Sequence, residues 1–315
     1  MTRPLIIGTR GSPLALWQAR WIQSALAGEN QTDKEILFPI RTFTTSGDKL
    51  KGDLKDFGGK GLFTKELEQA LLGGEIDMAV HSMKDVPTQS QAGLQISAIM
   101  PRADHRDAFI SKRYASINDL PNGALVGTAS IRRRAQLSAL RPDIKYRLLR
   151  GNVGTRLAKL EAGVCDATFL ACAGLKRLGQ EAAITEAVNI DRMLCAPAQG
   201  AVGIETHRGN ERAIAALSHI HDSATALCIF AERGFLEGLD GSCRTPIAAF
   251  ADQDASQINL QGELLSLSGD RRFTGRVSKG VKDEHAARAM GLELAAMIRA
   301  EAGSDITYLF SELYS

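Results

Sequence analysis

The sequence predicts an α/β protein made of two doubly wound lobes and a smaller α+β domain. Three observations predict it. Short apolar runs alternate with helical patterns, the signature of βαβ units and largely parallel sheets. The opening Gly8-Thr9-Arg10-Gly11-Ser12 is echoed by Gly127-Thr128-Ala129-Ser130, as though two similar lobes begin alike. From His221 onward the texture changes to one long helix followed by alternating strand-like runs.

Leu5–Gly8 reads as a strand. Ser12-Pro13 reads as N-cap plus first helical residue, with the helix continuing through Leu14–Ala27. Ile36–Thr44 is the next strand. Residues 46–61 hold five glycines among many charges and read as a loop too long for a plain connector, a candidate lid. A helix at Leu62–Leu72 and strands at Ile76–Val80 and Leu94–Met100 follow. Pro101-Arg102-Ala103-Asp104-His105-Arg106 is polar and hinge-like, and the pattern then restarts. Strands are expected at Ala108–Ser111, Leu125–Gly127, Ile144–Leu149 and Ala167–Ala171, helices at Ile131–Leu140, Val153–Glu161 and Ala173–Leu178. Residues 195–205 read as a second crossing that runs into a strand. A helix from His221 to Leu239, the loop Asp240–Pro246, strand-like runs and a helix at His285–Ala302 complete the chain. The division this implies is 1–100 with 200–219, then 105–195, then 221–315.

Composition narrows the function. A formal net charge of +2 on 315 residues argues against general nucleic-acid or membrane-surface binding. The five cysteines are odd in number, scattered and without CxxC spacing, which favours a reducing compartment over a disulfide framework. The apolar run near Met1 is too short for a signal peptide, and no stretch reaches the length of a membrane span. A cytoplasmic protein is expected. No sustained exposed apolar repeat points to assembly, so a monomer is expected too. His219 and His221 with Asp222 lack the company of a metal set, and no metal is expected.

One segment stands apart. Ser130–Lys159 holds seven arginines and two lysines against the single acid Asp143, a local charge of +8. Guanidinium is always ionised and its planar fork fits carboxylate or phosphate oxygens. Arg132 and Arg133 fall in the first turn of a helix, where cations oppose the dipole, so a bound anion is the better reason for them. Arg150 and Arg156 bracket Gly151-Asn152-Val153-Gly154-Thr155, whose glycines permit close backbone approach to a ligand. Arg134, Arg141 and Arg147 read as surface charges. Arg177, near a helix end, suits either the dipole or a ligand. Lys84 and Asp85 follow a buried-looking strand, in a loop because Pro87 disfavours helix at Val86. The carboxyl end of a strand is where open α/β sheets bind ligands. There, Asp85 could stabilise a cationic intermediate or guide protons. Cys243 lies in a Gly/Ser/Pro loop beside Arg244, which suits a reactive thiolate as well as a small buried hydrophobe.

Eight motifs in order carry a specific resemblance: GTRGSPLALWQA at 8–19, GGKGLFTKELE at 58–68, AVHSMKDVP at 79–87, GTASIRRRAQL at 127–137, LRGNVGTRLAKL at 149–160, LACAGLKRLG at 170–179, AQGAVGIE at 198–205 and GSCRTPI at 241–247. Over nearly its whole length the chain resembles the porphobilinogen deaminase (hydroxymethylbilane synthase) family, most weakly after about residue 250. The resemblance implies two periplasmic-binding-protein-like domains with a cleft between them and a third that carries a cofactor cysteine. It implies stepwise condensation of four porphobilinogen molecules, with loss of ammonia, to hydroxymethylbilane. It implies a dipyrromethane cofactor joined by thioether to Cys243. Arg10, Ser12, Lys84, Ser130, Arg132, Arg133, Arg150, Arg156 and Arg177 would hold the pyrrole carboxylates, and Asp85 would meet the pyrrole N–H groups. Ala129 and Ala198 stand where the family often has a hydroxyl residue and a glycine, and Ser242 where glycine is common. A non-catalytic anion-binding module of periplasmic-receptor type would also explain lobes and arginines, but neither Cys243 nor Asp85.

Overall fold

The computed structural model describes residues 3–29, 37–49, 61, 63–239, 241, 245–305 and 309. In chain order, β1 (Ile7–Arg10), α1 (Pro13–Glu29), β2 (Ile40–Phe43), α2 (Ser46–Lys49), α3 (Lys65–Leu72), β3 (Met78–Ser82) and β4 (Leu94–Ile99) come first. Next are β5 (Asp107–Ile110), β6 (Leu125–Gly127), α4 (Ile131–Leu140), β7 (Lys145–Arg147), α5 (Val153–Glu161), β8 (Ala167–Ala171), α6 (Cys172–Arg177) and β9 (Glu186–Ala187). The chain ends with β10 (Val202–His207), α7 (Glu211–Ser218), α8 (Ser223–Gly238), β11 (Ile247–Asp254), β12 (Gln257–Leu265), β13 (Arg272–Lys279) and α9 (Glu284–Ala302). No single helix among the described residues is long and apolar enough to cross a membrane.

The chain forms two compact units. One comprises Met1–Arg102 with Ala201–Ala226, the other Ala103–Gly200 with Leu227–Ser315. Each holds a five-stranded sheet, ordered β2-β1-β3-β10-β4 in the first and β7-β6-β8-β5-β9 in the second. The two sheets match strand for strand. In each, three parallel strands are followed by an antiparallel strand, β10 or β5, and an edge strand antiparallel to that. In each, the first antiparallel strand is the one that enters just after the chain changes unit. The echo of Gly8–Ser12 in Gly127–Ser130 is thus the same turn in two equivalent sheets, from β1 into α1 and from β6 into α4.

Fully buried Leu5, Ile7, Ile22, Leu26 and Met78 anchor the core of the first sheet. Phe109 and Phe169, ring centroids 5.5 Å apart, anchor that of the second. The second unit also contains the antiparallel sheet β11-β12-β13. Residues Ile258, Leu260 and Leu264 of β12 face α8 and α9, where they bury against Phe235, Leu294 and Ile298. Gly262 allows this: a Cβ there would fall 2.5 Å from the Phe235 ring.

Most elements stand where the sequence puts them, with ends moved by a few residues. The first strand begins at Ile7 rather than Leu5, because its pairing partners begin there. The expected loop at 46–61 opens with the short helix α2, and its residues 50–60 lie outside the described set. Helix α7 went unread between the crossing strand and α8.

Candidate active site

In the first unit the relevant side chains sit at the carboxyl ends of the parallel strands β1 and β3, the side on which open α/β sheets collect ligands. β1 ends at Arg10. Two residues later the Ser12 hydroxyl accepts a hydrogen bond from the Ala15 amide at 3.3 Å, capping α1. The Arg10 guanidinium lies 4.4 Å from the centre of the Phe63 ring, a cation–π contact that steadies a long side chain. β3 runs directly into a single 3₁₀ turn, Met83–Asp85, rather than an open loop. Val86, extended ahead of Pro87, ends it. The turn leaves Asp85 exposed and Lys84 half-buried. A cavity of about 70 Å3 brings Arg10, Ser12, Gln18, Phe63, His81 and Asp85 together; Lys84 is not among its lining residues.

Three residues near this cavity escaped the sequence reading. Buried Gln18 ties α1 to β3 by donating to the Ser82 hydroxyl at 2.9 Å. His81 Nε2 and Glu205 Oε2 stand 3.2 Å apart, both buried, across the β3–β10 pairing. The only local signal was a polar residue set inside an apolar strand, as in Ala79-Val80-His81 and Gly203-Ile204-Glu205.

In the second unit the turns after β6 and β7 play the same part. Ser130 caps α4 by accepting from the Arg133 amide at 3.3 Å. Arg132 and Arg133 follow in the first turn, only 5% and 6% exposed. Burial that deep demands an anionic partner. It is Asp107, the fully buried first residue of β5. Its Oδ1 accepts from Arg133 Nε at 3.1 Å, Arg133 Nη2 at 2.7 Å and Gln199 Nε2 at 2.9 Å. Its Oδ2 lies 2.8 Å from Arg132 Nη2. Burial works against the charged carboxylate, but the two guanidiniums and these bonds outweigh it and hold Asp107 well below the usual carboxylate range. The Leu194 carbonyl accepts from Arg132 Nη1 at 2.7 Å and the Phe169 carbonyl from Arg133 Nη1 at 2.8 Å. The cationic excess read from Ser130–Lys159 is therefore offset in part by an acid outside that segment, and the unfavourable helix dipole has a protein partner to compensate it.

The other basic residues divide cleanly. Arg134 is exposed, 5.4 Å from the centre of the Tyr146 ring, and Arg147 is exposed and donates to the Val164 carbonyl at 3.0 Å. Arg141 grips Asp143 through two bonds of 2.8 Å. Arg150 sits half-buried between β7 and α5, before Gly151, whose φ of 120° suits glycine alone. Asn152 then caps α5, accepting from the Thr155 amide at 2.9 Å. Arg156, half-buried one turn in, donates to the Gly151 carbonyl at 2.7 Å. Arg177 ends α6 and reaches the Gly200 carbonyl at 2.7 Å; burial pulls its guanidinium down to about 10, still a cation at neutral pH.

The crossing back toward β10 is held firmly on the second unit's side. Gln199 donates to the His105 carbonyl as well as to Asp107. The Ala198 amide donates to buried Glu232 at 2.5 Å, and Glu232 also accepts from Ala251 of β11 at 2.7 Å. Glu263 on β12 is another deeply buried acid; burial pushes its carboxyl up, against a 2.6 Å bond from Arg272 and the nearby charges of Arg272 and Arg132. Cys243 lies outside the described residues, as do its neighbours Ser242 and Arg244. The other four cysteines are buried.

The chemistry on offer is therefore cationic forks at strand ends in the second unit and a carboxylate with an arginine and hydroxyls in the first. Such a set suits a ligand rich in carboxylates that passes through a cationic state. Comparison with known proteins agrees. Residues 5–215 match the family model "Porphobilinogen deaminase, dipyromethane cofactor binding domain", and residues 226–300 match "Porphobilinogen deaminase, C-terminal domain". The porphobilinogen deaminase of Paracoccus denitrificans is 48% identical over 303 residues, 96% of each chain. That of Nitrobacter hamburgensis is 47% identical over 306 residues, 97% of this chain and 96% of the relative. Among solved structures, the VFT2 domain of BvgS from Bordetella pertussis aligns with a TM-score of 0.43 at 16% identity, covering 69% of this chain and 85% of that one. The chain belongs to the porphobilinogen deaminase family, transferases that build hydroxymethylbilane from porphobilinogen with a dipyrromethane cofactor.

Proposed function

We propose that this chain carries out the family's reaction with the following residues. Cys243 bears the dipyrromethane through a thioether. Arg10, Ser12, Lys84, Ser130, Arg132, Arg133, Arg150, Arg156 and Arg177 hold the acetate and propionate groups of cofactor, substrate and growing chain. Asp85 is the catalytic carboxylate.

The observation that carries the reading is the pair Arg132 and Arg133, two buried guanidiniums bonded to the single carboxylate of Asp107. The donor set fits the group: each pyrrole ring brings two carboxylates, and guanidinium forks with serine hydroxyls are complementary to them. When bound, the dipyrromethane would supply the free pyrrole α-carbon to which the first unit is joined, each later unit being joined to the terminal pyrrole of the growing chain. The protein's residues supply the rest. As the C–N bond of porphobilinogen breaks, its electron pair leaves with ammonia and the pyrrole left behind is an azafulvenium cation. Asp85, fixed at the end of β3, lowers the energy of that charge without having to reorganise. The proton displaced when the new C–C bond forms leaves with the ammonia as ammonium. The arginines hold both partners through their carboxylates, which converts an encounter into a positioned reaction.

The same proposal includes three domains, at 1–100 with 200–219, 105–195 and 221–315, and a monomer acting in the cytoplasm without nucleic-acid or membrane partners. Support for the monomer is that Leu37, Leu72, Leu140, Leu148 and Met297, the exposed large hydrophobics among the described residues, are scattered. Support for a reducing compartment is that the buried Cys165 and Cys172 are free thiols.

Intact-mass measurement tests the proposal. Wild type carries the added mass of a dipyrromethane, and Cys243→Ser does not. A wild-type chain that stays unmodified after incubation with porphobilinogen overturns the reading in favour of a plain anion-binding module.

A further inference from the structure

Asp107 has a role that none of the motifs suggests. Arginine binds carboxylates well but on a long, flexible stem, and freezing that stem on each binding event costs affinity. Arg132 and Arg133 are frozen beforehand. One carboxylate takes Nη2 of Arg132 and both Nε and Nη2 of Arg133, while the carbonyls of Leu194 and Phe169 take a further N–H from each. The hub stands on regular elements. Asp107 opens β5, paired opposite Ala171 of β8, and the arginines lie in the Ser130-capped first turn of α4. Gln199 closes it, bonding both Asp107 and the His105 carbonyl just ahead of β5. The charges do not cancel: two cations share one anion, and the other buried acid near Arg132, Glu263, is bonded to Arg272. Arg132 donates one hydrogen bond, from Nη1 to the Leu194 carbonyl, and its Nη2 is ion-paired with Asp107 without a hydrogen bond to it. A carboxylate presented to this pair meets forks already oriented and still short of negative charge.

We propose that Asp107 is a positioning residue for the reaction: it fixes Arg132 and Arg133 in the orientation that receives ligand carboxylates. The proposal rests on the reading of those two arginines as carboxylate holders. Asp107 touches neither substrate nor cofactor in this role and acts through the guanidiniums alone.

The test uses the full chain in six forms: wild type, Asp107→Asn, Asp107→Glu, Arg132→Leu, and each Asp107 variant combined with Arg132→Leu. Loading is followed by intact mass during incubation with porphobilinogen, KM and kcat are measured on loaded enzyme, and thermal midpoints are recorded for all. Asp107→Asn slows loading and raises KM for porphobilinogen by about tenfold or more, and Asp107→Glu, which keeps the charge on a longer arm, recovers part of both. In the Arg132→Leu background the same Asp107 changes add less than they do alone, because one of the two guanidiniums they act through is gone while Arg133 remains. Effects that multiply fully in the double variants, or that follow the thermal midpoint alone, overturn the positioning role and leave a structural one. Should Asp107→Asn fail to fold, Asp107→Glu decides: wild-type loading and KM with the carboxylate displaced by one methylene overturn the proposal. Wild type that never gains the cofactor mass overturns the underlying reading of the reaction, whereas wild type that gains it while both Asp107 variants match it overturns the positioning role alone.

Discussion

The two lobes solve the same local problem with opposite electrostatics. Each carries a Gly-Thr pair near the carboxyl end of the first of its parallel strands, and each caps the following helix with a serine, Ser12 or Ser130. In the first lobe the strand-end arginine, Arg10, is half-buried and steadied by an aromatic face, and the residue of interest is an exposed carboxylate on a 3₁₀ turn. In the second the turn leads into two arginines driven below the surface and pinned to Asp107. Equivalent backbone therefore serves unlike chemistry: a lone anion on an accessible turn in one lobe, a rigid cationic cradle in the other. Fold alone does not set function; the side chains grafted onto matching turns do.

The sharpest way to break this contrast is at the anion. Asp85→Asn keeps shape and hydrogen-bonding capacity while removing charge. It is expected to retain the cofactor mass and to lose about 10²–10³-fold in kcat, the scale of removing one preorganised electrostatic group. Because Asp85 is exposed, its thermal midpoint stays near that of wild type. Near-normal turnover in this variant would remove the carboxylate from the reaction.

The cationic lobe separates into two kinds of arginine, and paired substitutions expose the difference. Arg132→Leu breaks a buried pair and costs about 3 kcal/mol of stability, the low end for such a loss since Arg133 still partners Asp107. Arg150→Leu, at a half-buried turn, costs about 1 kcal/mol or less. Both impair cofactor loading, so the contrast is in chemical denaturation rather than in turnover. The sign with pH follows from Asp107. Its folded pKa is lowered, so its ion-pair stability is fully present above the unfolded carboxylate value of about 3.9 and is lost as pH falls through the folded value. The gap between wild type and Arg132→Leu is therefore constant near neutrality and closes only in acid. A gap that closed between pH 8 and 6 would mean another group holds Arg132.

The same division explains what could be read from residues alone. Features written in short range were legible. Helices Ile131–Leu140 and Val153–Glu161 begin and end where Ser130 and Asn152 cap them and where their patterns stop, and strand Ala167–Ala171 sits within its apolar run. The turns bearing Arg10, Asp85 and Arg150 were legible for the same reason. Partners written at long range were not. Asp107 meets Arg133 across 26 residues, Gln199 meets Asp107 across 92 and Glu205 meets His81 across 124, and nothing local marks those acids as buried. From the sequence the first-turn arginines point to a ligand, because the acid that also explains them begins a strand outside every one of the motifs. Helix α7 was missed because eight residues capped by Asn210 give barely two turns of periodicity.

The smallest expected effect lies at the crossing that leaves the cationic lobe. Ala198 adopts φ 63°, a left-handed conformation in which the Cβ of an L-residue crowds the backbone. The surroundings hold it there: its amide is bonded to Glu232, and the next residue's side chain to His105 and Asp107. Two terms oppose each other in Ala198→Gly. Relief of backbone strain favours glycine, while the extra freedom of glycine in the unfolded chain and the loss of a buried methyl favour alanine. At a positive φ the first term usually wins, so Ala198→Gly should raise stability by roughly 0.5–1 kcal/mol, read as a rise of about one to two degrees in the thermal midpoint. Arg102, at the first unit's crossing, lacks the positive φ of Ala198, so Arg102→Gly should move the midpoint the other way. A lower midpoint for Ala198→Gly would mean that methyl packing, not backbone conformation, sets the energetics of this crossing.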